Sequence, residues 1–205
     1  DMLKEAVKQL GPKADYRVFD VTDTANAVPF VEMLTQEIGP VSILVNNAGR
    51  HCKKPVLDVT QEDLQNVLDV HLMGSFALTK AVVPGMLGNI LFISSMSAYL
   101  GMTQVTAYSA AKSAVLGLVK TLSGELADKG IRVNAIAPGF IDTPMFRKAV
   151  ESDIPRQQKI IGHTPMGCYG DPMDIGWAAV YLTSPAARFV TGVCLPVDGG
   201  CCIGF

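Results

Sequence analysis

The chain predicts a doubly wound α/β fold, a parallel sheet with helices on both faces, and two observations carry that prediction. Short apolar runs at residues 41–45, 89–93, 131–137 and 193–197 alternate with longer stretches of helical periodicity. Strands that alternate with helices assemble as parallel sheets. Small and polar groups also fall where those runs end, at Asn46-Asn47-Ala48-Gly49, at Ser95 and at Pro138-Gly139. In open α/β sheets the ligand crevice lies outside the carboxyl ends of the strands.

Each element has its own local warrant. Met2, Leu3, Ala6, Val7 and Leu10 precede Gly11-Pro12, which is helical spacing with a C-terminal stop. Residues 16–19 read as a short strand ending at Asp20-Val21. Thr22, Asp23 or Thr24 then caps a helix that Gly39-Pro40 breaks after residue 38. Residues 41–45 read as an apolar strand buried on both faces. The small residues after it let backbone approach a ligand, and the amides of Asn46 and Asn47 can tie strand ends together. Thr60-Gln61-Glu62-Asp63 carries the N-cap and acidic first turn of a long helix reaching residue 83. Residues 107–123, rich in Ala, Leu and Lys, form the next helix, closed by Asp128-Lys129-Gly130.

Residues 144–166 mix apolar and charged side chains without a sustained period, which suits a lid. There Met145, Phe146, Ile154, Ile160, Ile161 and Met166 offer an apolar wall, while Arg147, Arg156 and His163 offer an anion site, and the sequence leaves both open. Asp171-Pro172-Met173-Asp174 opens a helix to about residue 183. The apolar Ile203-Gly204-Phe205 tail is expected to pack against the core or a neighbouring subunit. With 205 residues and no repeat or low-complexity tract, residues 1–205 are read as one domain with the lid inside it.

A net charge of −2 gives no basic surface for nucleic acid or an anionic membrane. No run of 18 apolar residues and no signal peptide are read, so no membrane span is expected and the cytoplasm is the expected compartment. Five cysteines without Cys-x-x-Cys spacing read as reduced thiols, and three irregularly spaced histidines form no ligand motif; no metal is expected.

The chemistry centres on Ser95, Tyr108 and Lys112. Ser95 falls where a buried strand runs out into a loop, and Tyr108 and Lys112 stand four apart on one helix face, about 6 Å along the axis. A phenol with a pKa near about 10 is a poor base at neutral pH, and a neighbouring ammonium favours the phenolate. Tyr108 then exchanges a proton with an alcohol or carbonyl whose oxygen Ser95 holds.

Asp20-Val21-Thr22-Asp23, Asn46-Asn47-Ala48-Gly49, Ser95 thirteen positions before Tyr108-x-x-x-Lys112, Arg132-Val133-Asn134-Ala135-Ile136-Ala137-Pro138-Gly139 and Val197-Asp198-Gly199-Gly200 follow one another in register. From Asp20 onward the chain resembles the short-chain dehydrogenase/reductase family, which has a Rossmann-like fold and uses NAD or NADP. The resemblance implies an oxidoreductase that interconverts a secondary alcohol and a ketone, with Ser95, Tyr108 and Lys112 catalytic. It assigns Asp20, Val21, Asn46, Ala48, Gly49, Pro138, Gly139, Ile141 and Thr143, together with Tyr108 and Lys112, to the cofactor. Thr143 reads equally as the N-cap before Pro144.

A sugar acid or polyol is the expected substrate. The alternatives are a 3-ketoacyl reductase-like enzyme and a non-catalytic nucleotide-binding regulator on the same fold. Homodimers or homotetramers are implied through the helices at 60–83 and 105–128. No glycine cluster of the dinucleotide-binding type precedes Asp20, so the first strand-helix-strand portion of the fold is read as missing. Where the family has Asn in Asn-x-x-Gly, this chain has His71-Leu72-Met73-Gly74. In relatives that residue's backbone carbonyl holds a water beside the lysine, and a carbonyl survives the substitution.

Overall fold

A computed structural model describes residues 2–203; Asp1, Gly204 and Phe205 lie outside the described residues, as do the side chains of Met145 and Ala149. The expected wall contribution of Met145 and the end of the tail therefore fall outside them. The described order is α1 (Met2–Leu10), α2 (Ala27–Ile38), β1 (Ile43–Asn46), α3 (Gln61–Leu68), α4 (Ser75–Val82), β2 (Asn89–Ile93), α5 (Thr106–Glu125), β3 (Arg132–Pro138), α6 (Pro144–Val150), α7 (Ile154–His163), α8 (Pro172–Thr183) and β4 (Cys194–Val197).

The four strands form one parallel sheet in the order β1-β2-β3-β4. Asn46 pairs with Phe92, Ile93 with Ile136, and Pro138 with Val197, so all four carboxyl ends open on one edge. Side chains alternate across a strand. Ile90 and Phe92 of β2 accordingly join Val31, Val82, Val115 and Val119 on one face of the sheet. Leu91 joins Ile136 and Leu182 of α8 on the other. Burying these side chains between helices on both faces holds the strand ends in place.

The helix starts are chemically marked. Thr60 and Asp63 cap α3 reciprocally, and Asp171 and Asp174 do the same for α8. Between α3 and α4, Asp69–Gly74 makes a π-helical segment, an extra residue in the turn of the kind that recurs at functional sites. The continuous helical run Gln61–Gly85 is long and apolar enough to cross a membrane by length and composition, with a mean hydropathy of 1.2. Here α3 packs on α5 and α4 on α2.

Two expectations need correction. Residues 16–19 form no strand: a strand is made by ladder bonds to a neighbour, and these residues make none among the described residues. Phe19 instead stacks on Phe30 of α2 with ring centroids 4.3 Å apart. Strand β1 is not buried on both faces. Leu44 packs on the core, but Ile43 and Val45 are 47% and 45% exposed on the face that no described element covers. Residues 144–166 are helical, with α6 and α7 broken at residues 151–153, so that two helical registers share one window and no single period shows. Ile203 of the tail is exposed, so of the two partners expected for it the core is not met and the neighbouring subunit stays open.

Candidate active site

At the end of β2 the chain leaves the sheet through two buried serines. Ser94 donates its hydroxyl to the Lys112 carbonyl (3.0 Å), which fixes α5 to this strand end. Ser95 is extended, and its Oγ accepts the Ser97 amide at 3.1 Å. Ala107 and Ala111 are buried against Val67, pressing one face of α5 onto α3. Small side chains there allow the close approach that brings Tyr108 and Lys112 to the strand end. Lys112 Nζ donates to the Ile93 carbonyl at 2.6 Å and lies 5.6 Å from the Tyr108 ring centroid.

The electrostatics differ from the sequence expectation. Burial raises the Tyr108 phenol above its ordinary range, and a hydrogen bond from the Ser95 side chain opposes that shift. Burial also pushes the Lys112 ammonium down to about 8. Removing each group from water penalises its charged form, phenolate and ammonium alike. Lys112 is 4% exposed, and among the described residues its ammonium has one acceptor. Two of its three N–H donors are free to bind hydroxyls.

His71, in the π-helical segment, is 3% exposed and stands edge-on to Tyr108 with ring centroids 5.5 Å apart. Its Nε2 lies 2.8 Å from the Arg50 carbonyl and 3.1 Å from the Arg50 amide, so either neutral tautomer finds a backbone partner. Burial, reinforced by the positive charge of Lys112, lowers its pKa to about 4 and keeps the imidazole neutral. A Cβ on Gly49 would come within 2.6 Å of His71 Cε1, so glycine makes room for the ring. The His71 carbonyl accepts the Ser75 hydroxyl at 2.9 Å.

His51, passed over in the sequence, also stands edge-on to Tyr108, at 5.1 Å between centroids. The available signal was its place two residues beyond the glycine that closes the strand-end motif. Its loop is fixed by Lys54, whose amide donates to the Gln104 carbonyl (2.9 Å) and whose ammonium pairs with Asp63 (2.7 Å). Gln104 itself takes a left-handed conformation, φ 66°, uncommon for a residue with a side chain.

The residues expected at the cofactor divide into two groups. Asn46 and Pro138 close β1 and β3 at one edge of the sheet, and Ser95 follows the end of β2 between them. The Asn46 amide donates to Thr79 at 3.2 Å, tying β1 to α4 rather than to a second strand end. Gly139 donates to Val197 at 3.0 Å and abuts Asp198, where a Cβ would sit 2.6 Å from its Cα. Ile141 bridges to Gly170, and Thr143 caps α6 by accepting the Phe146 amide at 3.1 Å. Ala48 and Gly49 lie in the loop after β1, where Gly49 faces the His71 ring. Val21 backs onto Gly74 of the π-helical segment. Asp20 is exposed and bonded within its own turn to Thr22, which lowers its pKa. The residues present fit a nicotinamide nucleoside, because a buried ammonium with spare donors stands beside a phenol at a strand-end crevice.

Residues 1–202 match the family model described as enoyl-(acyl carrier protein) reductase. The chain is 36% identical to 3-oxoacyl-[acyl-carrier-protein] reductase of Thermotoga maritima, over 98% of this chain and 82% of that protein. It is also 36% identical to 2-dehydro-3-deoxy-D-gluconate 5-dehydrogenase of Pseudoalteromonas atlantica, over 97% and 79% respectively. A solved gluconate 5-dehydrogenase of Burkholderia cenocepacia, in complex with NADP and tartrate, superposes with a TM-score of 0.90 at 31% identity, covering 98% of this chain and 79% of that one.

Proposed function

Because the chain belongs to the short-chain dehydrogenase/reductase family and is thereby an NAD(P)-dependent oxidoreductase, we propose that Tyr108 carries the proton in its interconversion of a secondary alcohol and a ketone. The observation that supports this most directly is the meeting of Tyr108, Ser95 and the buried Lys112 at one strand end. When bound, the nicotinamide supplies the hydride acceptor or donor. Tyr108 takes the hydroxyl proton in oxidation and returns it in reduction. Ser95 donates to the same substrate oxygen as its charge develops, and Lys112 holds ribose hydroxyls with its spare donors while favouring the phenolate.

Asn46, Ala48, Gly49, Pro138, Gly139, Ile141 and Thr143 bound the nicotinamide side of the crevice, with Asp20 and Val21 toward the adenine. Residues 144–166 act as the lid of a single domain. The substrate is a sugar acid or polyol, a reading supported on its sugar-acid side by the gluconate-type activities of the Pseudoalteromonas and Burkholderia relatives; the Thermotoga relative supports a 3-oxoacyl thioester as the second reading. Five free thiols fit a reducing, cytoplasmic compartment. Exposed Trp177, Val180 and Tyr181 on α8 favour a homodimer or homotetramer over a monomer.

Replacing the phenol tests the assignment. Tyr108→Phe is expected to lower kcat by about 100-fold or more, the usual scale for a general acid or base, and to abolish the alkaline rise of the oxidation rate. Turnover within a few fold of the parent enzyme would remove Tyr108 from the proton step.

A further inference from the structure

The π-helical turn from Asp69 to Gly74 interrupts the helical run from Gln61 to Gly85, and it carries His71. A turn of this kind widens the helix and so re-aims the side chains within it. The backbone here is closely seated. A Cβ on Gly74 would lie 2.5 Å from the Val21 carbonyl oxygen, and the Ser75 hydroxyl bonds the His71 carbonyl at 2.9 Å.

The imidazole itself meets three neighbours. Its Nε2 lies 3.1 Å from the Arg50 amide and 2.8 Å from the Arg50 carbonyl. Its Cε1 faces Gly49, where a Cβ would come within 2.6 Å. Its plane stands at 84° to that of Tyr108 with centroids 5.5 Å apart, a perpendicular arrangement that aromatic pairs favour. With 3% of the residue exposed, the ring closes this flank of Tyr108 to water.

The other polar groups that face Tyr108 come from separate elements: Lys112 from its own helix, Ser95 from beyond β2 and His51 from the loop after β1. None of them bonds His71 among the described hydrogen bonds. The imidazole is neutral near pH 7, because burial and the nearby Lys112 charge disfavour its protonation. Its loss therefore removes a wall and a clasp but no charge.

We propose that the His71 imidazole is a positioning residue for the proton step: clasped at Arg50 and seated against Gly49, it fixes the Tyr108 ring and keeps water from its flank. The inference rests on the reading of Tyr108 as the proton carrier and adds the side chain through which that carrier is held. An asparagine amide ends about where the imidazole Nδ1 does, short of the Arg50 backbone, whereas a glutamine amide extends about as far as Nε2.

The test compares the parent enzyme with His71→Asn, which places the residue of the family pattern there, with His71→Gln and with Tyr108→Phe. One readout needs no substrate: the titration of Tyr108 in protein carrying 13C-labelled tyrosine, its resonance assigned by its absence from Tyr108→Phe. The second is kcat for D-gluconate with NADP and for acetoacetyl-CoA with NADPH. In His71→Asn, water reaches the phenol, so its titration is expected to move to lower pH. The same variant should lose about tenfold in kcat, since a displaced reacting group is costly, with KM for the cofactor within about twofold of the parent value. This pairing of an easier ionisation with a slower reaction separates lost position from lost basicity, and His71→Gln should return both readouts toward the parent. A lower melting temperature in His71→Asn with titration and kcat unchanged would make His71 a packing residue only and overturn the proposal. A moved titration with unchanged kcat likewise overturns it, as does an unmoved titration if neither probe is turned over. Near-parent turnover by Tyr108→Phe would instead reject the reading of Tyr108, and the positioning role with it.

Discussion

His71 is a side chain for which the fold makes room, since Gly49 can carry no Cβ beneath it. Its ring bonds the Arg50 backbone and so holds the loop that brings His51 to Tyr108. The sequence marks position 71 as a departure from the family pattern whose backbone carbonyl survives, and here that carbonyl accepts the Ser75 hydroxyl. The imidazole has a separate consequence for stability. Unfolded, it protonates near its ordinary value of 6.5; folded, it stays neutral down to about 4. Between those two values the unfolded chain binds the extra proton, so this group costs nothing above pH 6.5 and destabilises the fold progressively as pH falls toward 4. The cost reaches about 3 kcal/mol, at roughly 1.4 kcal/mol per pH unit. Urea unfolding of His71→Asn at pH 7 and pH 4.5 should show a smaller acid loss than the parent protein. An equal loss in both would mean that another group, not His71, sets the acid limb.

The segment after β3 is where one helix start does two jobs. Thr143 follows β3, stands among the residues proposed at the nicotinamide, and caps α6 through the Phe146 amide. Thr143→Ala should lower stability by about 1 kcal/mol, the usual worth of an N-cap, with Thr143→Ser recovering most of it. Thermal unfolding of the three proteins without cofactor reads the capping contribution alone. No difference among them would mean that α6 holds its start without the hydroxyl. Asp153 caps α7 in the same way and fixes the turn from which Arg156 projects. The Thr143 cap was legible beside Pro144, yet residues 144–166 show no continuous period, because two short helices of different register meet at residues 151–153.

At the scale of the molecule, α8 presents Leu182 to the sheet and leaves Trp177, Val180 and Tyr181 in solvent, with Trp177 65% exposed. Beside it β4 is the last strand, paired only with β3 among the described strands. An unpaired edge next to an exposed aromatic face favours association, and a two-fold interface is the simplest closed solution. Trp177→Glu should therefore shift light scattering toward the monomer while circular dichroism stays unchanged. An unaltered mass would move the interface away from α8, toward the helical run from Gln61 to Gly85, where Met73 and Phe76 are also exposed.

The order of strands and helices, the sheet's parallel sense, and the grouping of Ser95, Tyr108 and Lys112 were determined by the sequence alone. They depend on spacings of a few residues: apolar runs bounded by turns, and positions i and i+4 on one helix. Contacts between distant segments belonged to the tertiary structure. Residues 16–19 carry strand-like side chains yet have no ladder partner, and residues 43 and 45 are as apolar as buried ones yet face solvent. The raised Tyr108 phenol and the lowered Lys112 ammonium follow from how deeply neighbouring elements enclose them. His51 and His71 meet Tyr108 from chain positions 57 and 37 residues away, by subtraction of their numbers. Helix or strand periodicity reports which face a residue occupies, whereas desolvation and hydrogen-bond partners depend on what packs against that face, and only the folded chain supplies that.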